Sequence, residues 1–212
     1  MKGSTHLAIG VAIGAAASVY YPFTPGNTAL YVAVAAFSAL SADLDGPSML
    51  SGKLGQASKL IRELALWGGF GLAAYVAYRY FAQETLYPKT AIMAVAVFFL
   101  GLVTKEGVIR NALVSLAGGA LIYAGIRWHM SWLIGFGLFV AWVPWLNHRG
   151  LSHTVWAVAA WGAIGWGLER QLDVAGIAAV SVAGYLSHLI ADTLTPSGVK
   201  WLYPLTRKSF KL

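Results

Sequence analysis

Eight apolar stretches with polar punctuation between them constrain this chain more than any other feature. They cover residues 6–21, 28–42, 64–82, 88–104, 112–127, 132–147, 154–168 and 174–191. Apolar runs of this length and number have a bilayer as their natural solvent. Composition agrees: 58% of the 212 residues are hydrophobic and 11% are charged, against roughly a quarter charged in a soluble domain. A disordered chain, a collagen-like chain and a water-soluble globule are set aside on these grounds.

The expected fold class is all-α, a polytopic transmembrane helix bundle of about eight apolar helices, or six if one pair of stretches does not cross. No linker, charge block or repeat interrupts it, so residues 1–212 read as one domain. The 24 glycines suit close helix–helix contact in lipid, and several of the 9 tryptophans stand near stretch ends, where amphipathic rings favour the interface. The first stretch has the outline of a signal peptide. It is read as a retained first helix, because His6 interrupts the charged end and the next stretch follows almost at once. Cysteine is absent, so any metal must be held by His, Asp or Glu.

Alternating the stretches across the membrane sorts the charges. The N-terminal side receives Lys2, Lys53, Lys59, Arg62, Lys105, Arg110, Arg149, Lys200, Arg207, Lys208 and Lys211; the other side receives only Arg79, Lys89, Arg127 and Arg170. By the positive-inside rule the N-terminal side is cytoplasmic. The net charge of +7 is therefore a topology signal, and no nucleic-acid partner is expected. Membrane lipids are the expected partners. The same sorting brings His6, Asp43, Asp45, His148, His153, His188 and Asp192 to the cytoplasmic ends of their stretches. Only His129 falls on the far side, where it reads as an interfacial residue.

Each of these segments has a chemistry of its own. His188 and Asp192 are spaced i, i+4 and share one helix face. Asp43 and Asp45 precede Gly46-Pro47, which ends a helix, and in an irregular turn both can face one cation. His148 and His153 are five apart and cannot share a helix face, but Gly150 permits a turn that brings both inward. Arg149 offers a fork of donors suited to a phosphate oxygen. Thr193, Thr195 and Ser197 follow Asp192 around Pro196 and supply hydroxyls near the same end. The tail, with Lys200, Arg207, Lys208 and Lys211 among aromatic residues, reads as an amphipathic segment on anionic headgroups.

Taken together, Gly3-Ser4-Thr5-His6, Ser41-Ala42-Asp43-Leu44-Asp45, His148-Arg149-Gly150-Leu151-Ser152-His153-Thr154 and the run from Gly184 through His188 and Asp192 to Gly198 resemble a known family. It is the YdjM-like inner-membrane-associated metal-dependent hydrolases, thought to be distantly similar to the zinc-dependent phospholipase C and single-strand nuclease superfamily. The resemblance implies a helical metal-dependent hydrolase of the inner membrane. His188 and Asp192 match that superfamily's helical His-x-x-x-Asp/Glu pair, and Asp43 or Asp45 its bridging aspartate. The further histidines and N-terminal Trp ligand of the soluble enzymes are missing here, so one or two ions are expected rather than three.

The expected activity is hydrolysis of a phosphoester, with a lipid phosphoester favoured by the headgroup depth of the site. His6, Asp43, Asp45, His148, His153, His188 and Asp192 would hold a divalent metal, zinc first, manganese or magnesium otherwise. Asp45 is also the candidate general base and Arg149 the group that neutralises developing phosphoryl charge. Two rival readings are a metal or proton transporter and a non-catalytic membrane protein with a structural metal. The first would need ionisable groups at mid-depth, which the third to fifth stretches lack.

Overall fold

The computed structural model describes residues 1–83 and 87–211. Among them, regular structure is helical: α1 (Gly3–Tyr20), α2 (Pro25–Ser41), α3 (Gly52–Gln83), α4 (Pro88–Val103), α5 (Glu106–Arg127), α6 (Ser131–Trp142), α7 (Val155–Leu172) and α8 (Ile177–Thr193). Three 3-10 turns occupy Ala42–Asp45, Val143–Trp145 and Leu151–His153. The described residues contain no β-strand, only an isolated antiparallel bridge between Val199 and Phe210. Among the described residues, four segments are long and apolar enough to cross a membrane: Gly3–Tyr20, Pro25–Asp45, Gly52–Ala82 and Glu106–Arg127. Pro88–Val103, Ser131–Trp145 and Ile177–Thr193 are shorter apolar helices.

Local chemistry sets the ends. The Thr24 hydroxyl accepts from Asn27 N at 3.0 Å and Pro25 opens α2, a capped start with a pre-set φ. Thr154 caps α7 in the same way through Ala157 N at 3.3 Å. α3 begins at Gly52, well before the apolar stretch at residue 64, because the polar run that precedes it is itself helical. Lys59 and Glu63 form an i, i+4 pair there at 4.0 Å. α6 stops at Trp142 instead of running on to 147. Pro144 has no N–H to continue an α-helix, and the chain tightens into a 3-10 turn. The tail after α8 is turns and one isolated bridge. Trp201 ties it down, with its indole N–H on Thr193 Oγ1 at 3.0 Å and its carbonyl accepting from Val155 N at 3.0 Å.

The chain gathers into two compact units, Met1–Ser51 with Val114–Leu212, and Gly52–Leu113. In the smaller unit α3 and α4 meet through glycine: a Cβ on Gly69 would run into the Phe98 backbone, and one on Gly101 into Leu66. Arg62 and Glu106 pair there at 3.5 Å.

In the larger unit α1 turns a stripe of His6, Gly10, Gly14 and Ser18 inward, while Val11, Val19 and Tyr20 lie exposed. This is the pattern of a helix in lipid: the large apolar groups face outward and the small ones face the neighbour. A Cβ on Gly14 would strike the Val32 backbone, and one on Gly184 of α8 would lie within 2.9 Å of Ser38 Cβ. α1, α2 and α8 thus approach almost backbone to backbone. Trp161, Tyr185 and Leu189 fill the space beside them, and the Trp161 indole donates to Ser38 Oγ at 2.9 Å.

Candidate metal centre

Close packing of α1, α2 and α8 sets five of the polar side chains. His6 belongs to the small-residue stripe, so it is fully buried and its ring stacks on His188, centroids 3.8 Å apart. At the end of α2 the 3-10 turn advances the chain by three residues per turn. It sets Asp43 at the rim, with 21% of its side chain exposed, and Asp45 fully inside. On α8, His188 and Asp192 are both buried on the face toward α2.

The loop before α7 supplies the rest. Here Arg149 takes the left-handed conformation (φ 58°) and Gly150 does not (φ −90°). Gly150 serves by its size instead, since a Cβ there would lie 2.6 Å from Asn147 O. The turn sends His153 fully inside and leaves His148 with 55% of its side chain exposed. The two histidines therefore do not both point inward. His148 Nδ1 meets Asp45 Oδ1 at 2.7 Å at the edge.

The tautomers of the two inner histidines follow from their partners. His188 Nδ1 lies 2.7 Å from the Ala39 carbonyl; a carbonyl only accepts, so Nδ1 carries a proton and, in the neutral ring, Nε2 is bare. Ser152 donates its one hydroxyl hydrogen to Asp45 Oδ2 at 2.6 Å, so its oxygen accepts from His153 Nδ1 at 2.9 Å. His153 Nε2 is therefore also bare in the neutral ring. The two bare nitrogens face each other at 3.3 Å. Asp43 Oδ1 stands 3.5 Å from His188 Nε2 and 3.9 Å from His153 Nε2. Asp192 Oδ2 stands 3.9 and 3.8 Å from the same atoms.

Lone pairs aimed at one another at this distance repel unless a cation lies between them. Ligands ~2.0–2.1 Å from a tetrahedral ion are ~3.3–3.4 Å apart, close to the spacing found. Three sets of residues have donor atoms mutually within 4.8 Å: His6, Asp43 and His188; His153, His188 and Asp192; and Asp43, Asp45 and His148. His6 adds a second sign. Both its ring nitrogens are buried without a hydrogen-bond partner, and Nε2 is 3.5 Å from Asp192 Oδ1. Orphaned buried nitrogens cost free energy that a bound ion would recover.

Asp192 is already surrounded by positive charge, with Arg149 Nη2 3.0 Å from Oδ2 and the Met1 ammonium 2.8 Å from Oδ1. The same guanidinium donates to Thr195 Oγ1 and to the Gly198 carbonyl, each at 3.2 Å. Arg149 is thus engaged with the protein itself. Burial lowers the His153 pKa below its ordinary value, which keeps the ring neutral and able to ligate. The hydrogen bond that His148 donates to the Asp45 carboxylate raises that of His148.

All seven candidate ligands from the sequence lie in the larger unit, and His6, Asp43, His153, His188 and Asp192 form two overlapping triads that share His188. Asp45 accepts from Ser152 and Arg149 N (3.1 Å) and pairs with His148. Ser152 itself is missing from the sequence-derived set, although its place directly before His153 in the octapeptide was a usable signal. Tyr185, whose hydroxyl donates to Ser152 O at 2.6 Å, and the Ala39 carbonyl leave no such trace.

A family model described as YdjM inner membrane protein matches residues 1–212. The chain belongs to that family. No curated protein and no solved structure matches it significantly.

Proposed function

We propose that this YdjM-family membrane protein is a metal-dependent hydrolase that cleaves a phosphoester, a lipid phosphoester by preference, at the cytoplasmic face of the inner membrane. In this reading all eight helices are apolar elements of one multi-pass bundle. Both described ends of the chain and the metal centre lie on the cytoplasmic side, supported by eleven of the fifteen basic residues falling there. The observation that carries the proposal is the pair of bare Nε2 atoms of His153 and His188 at 3.3 Å, flanked by Asp43 and Asp192 oxygens.

His153, His188, Asp43 and Asp192 would hold one divalent ion, with His6 beside Asp192 to complete or reinforce the set. A mixed imidazole–carboxylate donor set suits zinc and also manganese; magnesium prefers oxygen alone. Bound there, such an ion would supply Lewis acidity for a phosphoryl oxygen and bring the pKa of water toward ~7. The protein's own groups divide the remaining work. Asp45 is the second-rank partner that fixes the His153 ring through Ser152, in the manner of carboxylate–histidine–metal arrangements. His148 has Nδ1 held by Asp45 and more than half its side chain exposed, so it is the group placed to pass a proton to or from substrate. Arg149 holds Asp192 in position and balances negative charge at the site. The exposed edge of Asp43, about a fifth of its side chain, is the approach for substrate and water.

One observation favours a second reading. Four protein ligands can close a site, as in structural zinc centres. Assay of the purified protein against lipid and nucleotide phosphoesters separates the two. Turnover lost in His148→Ala, with metal retained, supports the hydrolase; full metal loading with no turnover on any phosphoester supports the structural centre.

A further inference from the structure

A second site runs between α6 and α7, with its polar mouth at the helix ends away from the metal centre. Between these helices runs a groove of about 1040 Å³. Its floor is made of small residues, Gly135, Ala160, Ala163 and Gly167, and its walls include Trp132, Trp142 and Trp166. Along its length it is apolar. At one end only, where α6 begins and α7 finishes, it is lined by His129, Arg170 and Gln171.

Three features define what fits. The first is length. α6 spans 12 residues, ~18 Å at 1.5 Å per residue, so the groove from Trp132 to Trp142 matches ~15 Å, the hydrocarbon depth of one leaflet. The second is charge. Arg170 is the one permanently charged residue lining the groove, and its guanidinium sits over the Trp166 ring at 5.0 Å, which fixes the cation at the mouth. No carboxylate of the described residues lies within 4.0 Å of it. The neighbouring Glu169 is turned away, accepting from Ala178 N at 2.8 Å. The third is hydrogen bonding: Gln171 and His129 offer further donors at the same level. An apolar slot one leaflet deep, capped by a cation and neutral donors, has the layout of an anionic phospholipid.

We infer that the α6–α7 groove binds an anionic phospholipid of the leaflet opposite the metal centre, with acyl chain along Gly135 and Gly167 and headgroup at Arg170. The site stands apart from the proposed hydrolysis and does not require it.

The test uses the full chain in phosphatidylcholine vesicles doped with bromoacyl phosphatidylglycerol or bromoacyl phosphatidylcholine, reading quenching of tryptophan fluorescence. The anionic quencher should saturate at about fivefold lower mole fraction than the zwitterionic one, the effect of one basic residue at a membrane surface. The preference should vanish in Arg170→Gln. It should also vanish when Trp132, Trp142 and Trp166 are all replaced by Phe. Gly135→Leu gives an independent reading: a Cβ there meets only Ile164 Cγ1 at 3.5 Å, so the side chain fills the groove and should lower quenching by both lipids. Equal quenching by the two headgroups in the unsubstituted protein overturns the inference. So does a preference that survives Arg170→Gln, or a groove shielded from both lipids by a second copy of the chain.

Discussion

At the scale of single residues, the site turns on which nitrogen of each imidazole carries the proton. His188 is fixed by a backbone carbonyl and His153 by a serine that is itself fixed by Asp45. Both arrangements leave Nε2 bare toward the centre. His148 is held differently, and its titration is a direct check. Its hydrogen bond to Asp45 raises its pKa and burial lowers that of His153. In metal-free protein, histidine NMR should show His148 titrating above the ordinary ~6.5 and His153 below it. The sign for stability follows: the His148–Asp45 pair supports the metal-free fold fully below the unfolded-state pKa, and that support is lost as pH rises through the raised folded value. Asp45→Asn should bring His148 back toward ~6.5; an unchanged His148 midpoint in that variant would rule out the pairing. The sequence located all seven of these polar groups because ionisable residues are rare in so apolar a chain. It left Asp43 and Asp45 interchangeable. Two residues apart in a turn, only the 3-10 geometry decides that one faces His188 and the other Ser152.

At the scale of the helix, the inward face of α1 is small rather than apolar. His6, Gly10, Gly14 and Ser18 recur every four residues and let α1 lie directly on α2. Gly14→Leu should separate the two helices, costing about 1–3 kcal/mol as an overpacked contact. Gly119→Leu, at a position with open space around it, should stay within about 0.5 kcal/mol. Denaturant unfolding in detergent measures both, and equal effects would mean that the α1–α2 contact contributes nothing. Hydropathy made the apolar stretches legible but not their inward faces, because outward and inward residues are both uncharged. It also missed the first turns of α3, where Lys59 and Glu63 look like loop composition and are helical. The tail reads in sequence as an amphipathic segment, and what sequence does not show is that Trp201 engages Thr193 and Val155 through its ring and backbone.

At the scale of the whole molecule, the proposed orientation puts the metal centre inside and the Arg170 groove outside. The absence of cysteine makes this accessible to single-cysteine labelling without background. A membrane-impermeant maleimide should label His129→Cys in intact cells and Ser197→Cys only after permeabilisation. The reverse pattern would invert the topology, and labelling of both from one side would show that an odd number of crossings does not separate them.

The central claim is that the buried histidines and aspartates exist to hold a metal. Elemental analysis of the purified protein, metal-chelated wash included, tests it most directly. The account predicts about one equivalent of zinc or manganese per chain, lost in His153→Ala and in His188→Ala while circular dichroism still reports a helical fold. A protein that carries no divalent metal and takes none up on titration, or one whose metal persists without both histidines, would contradict it.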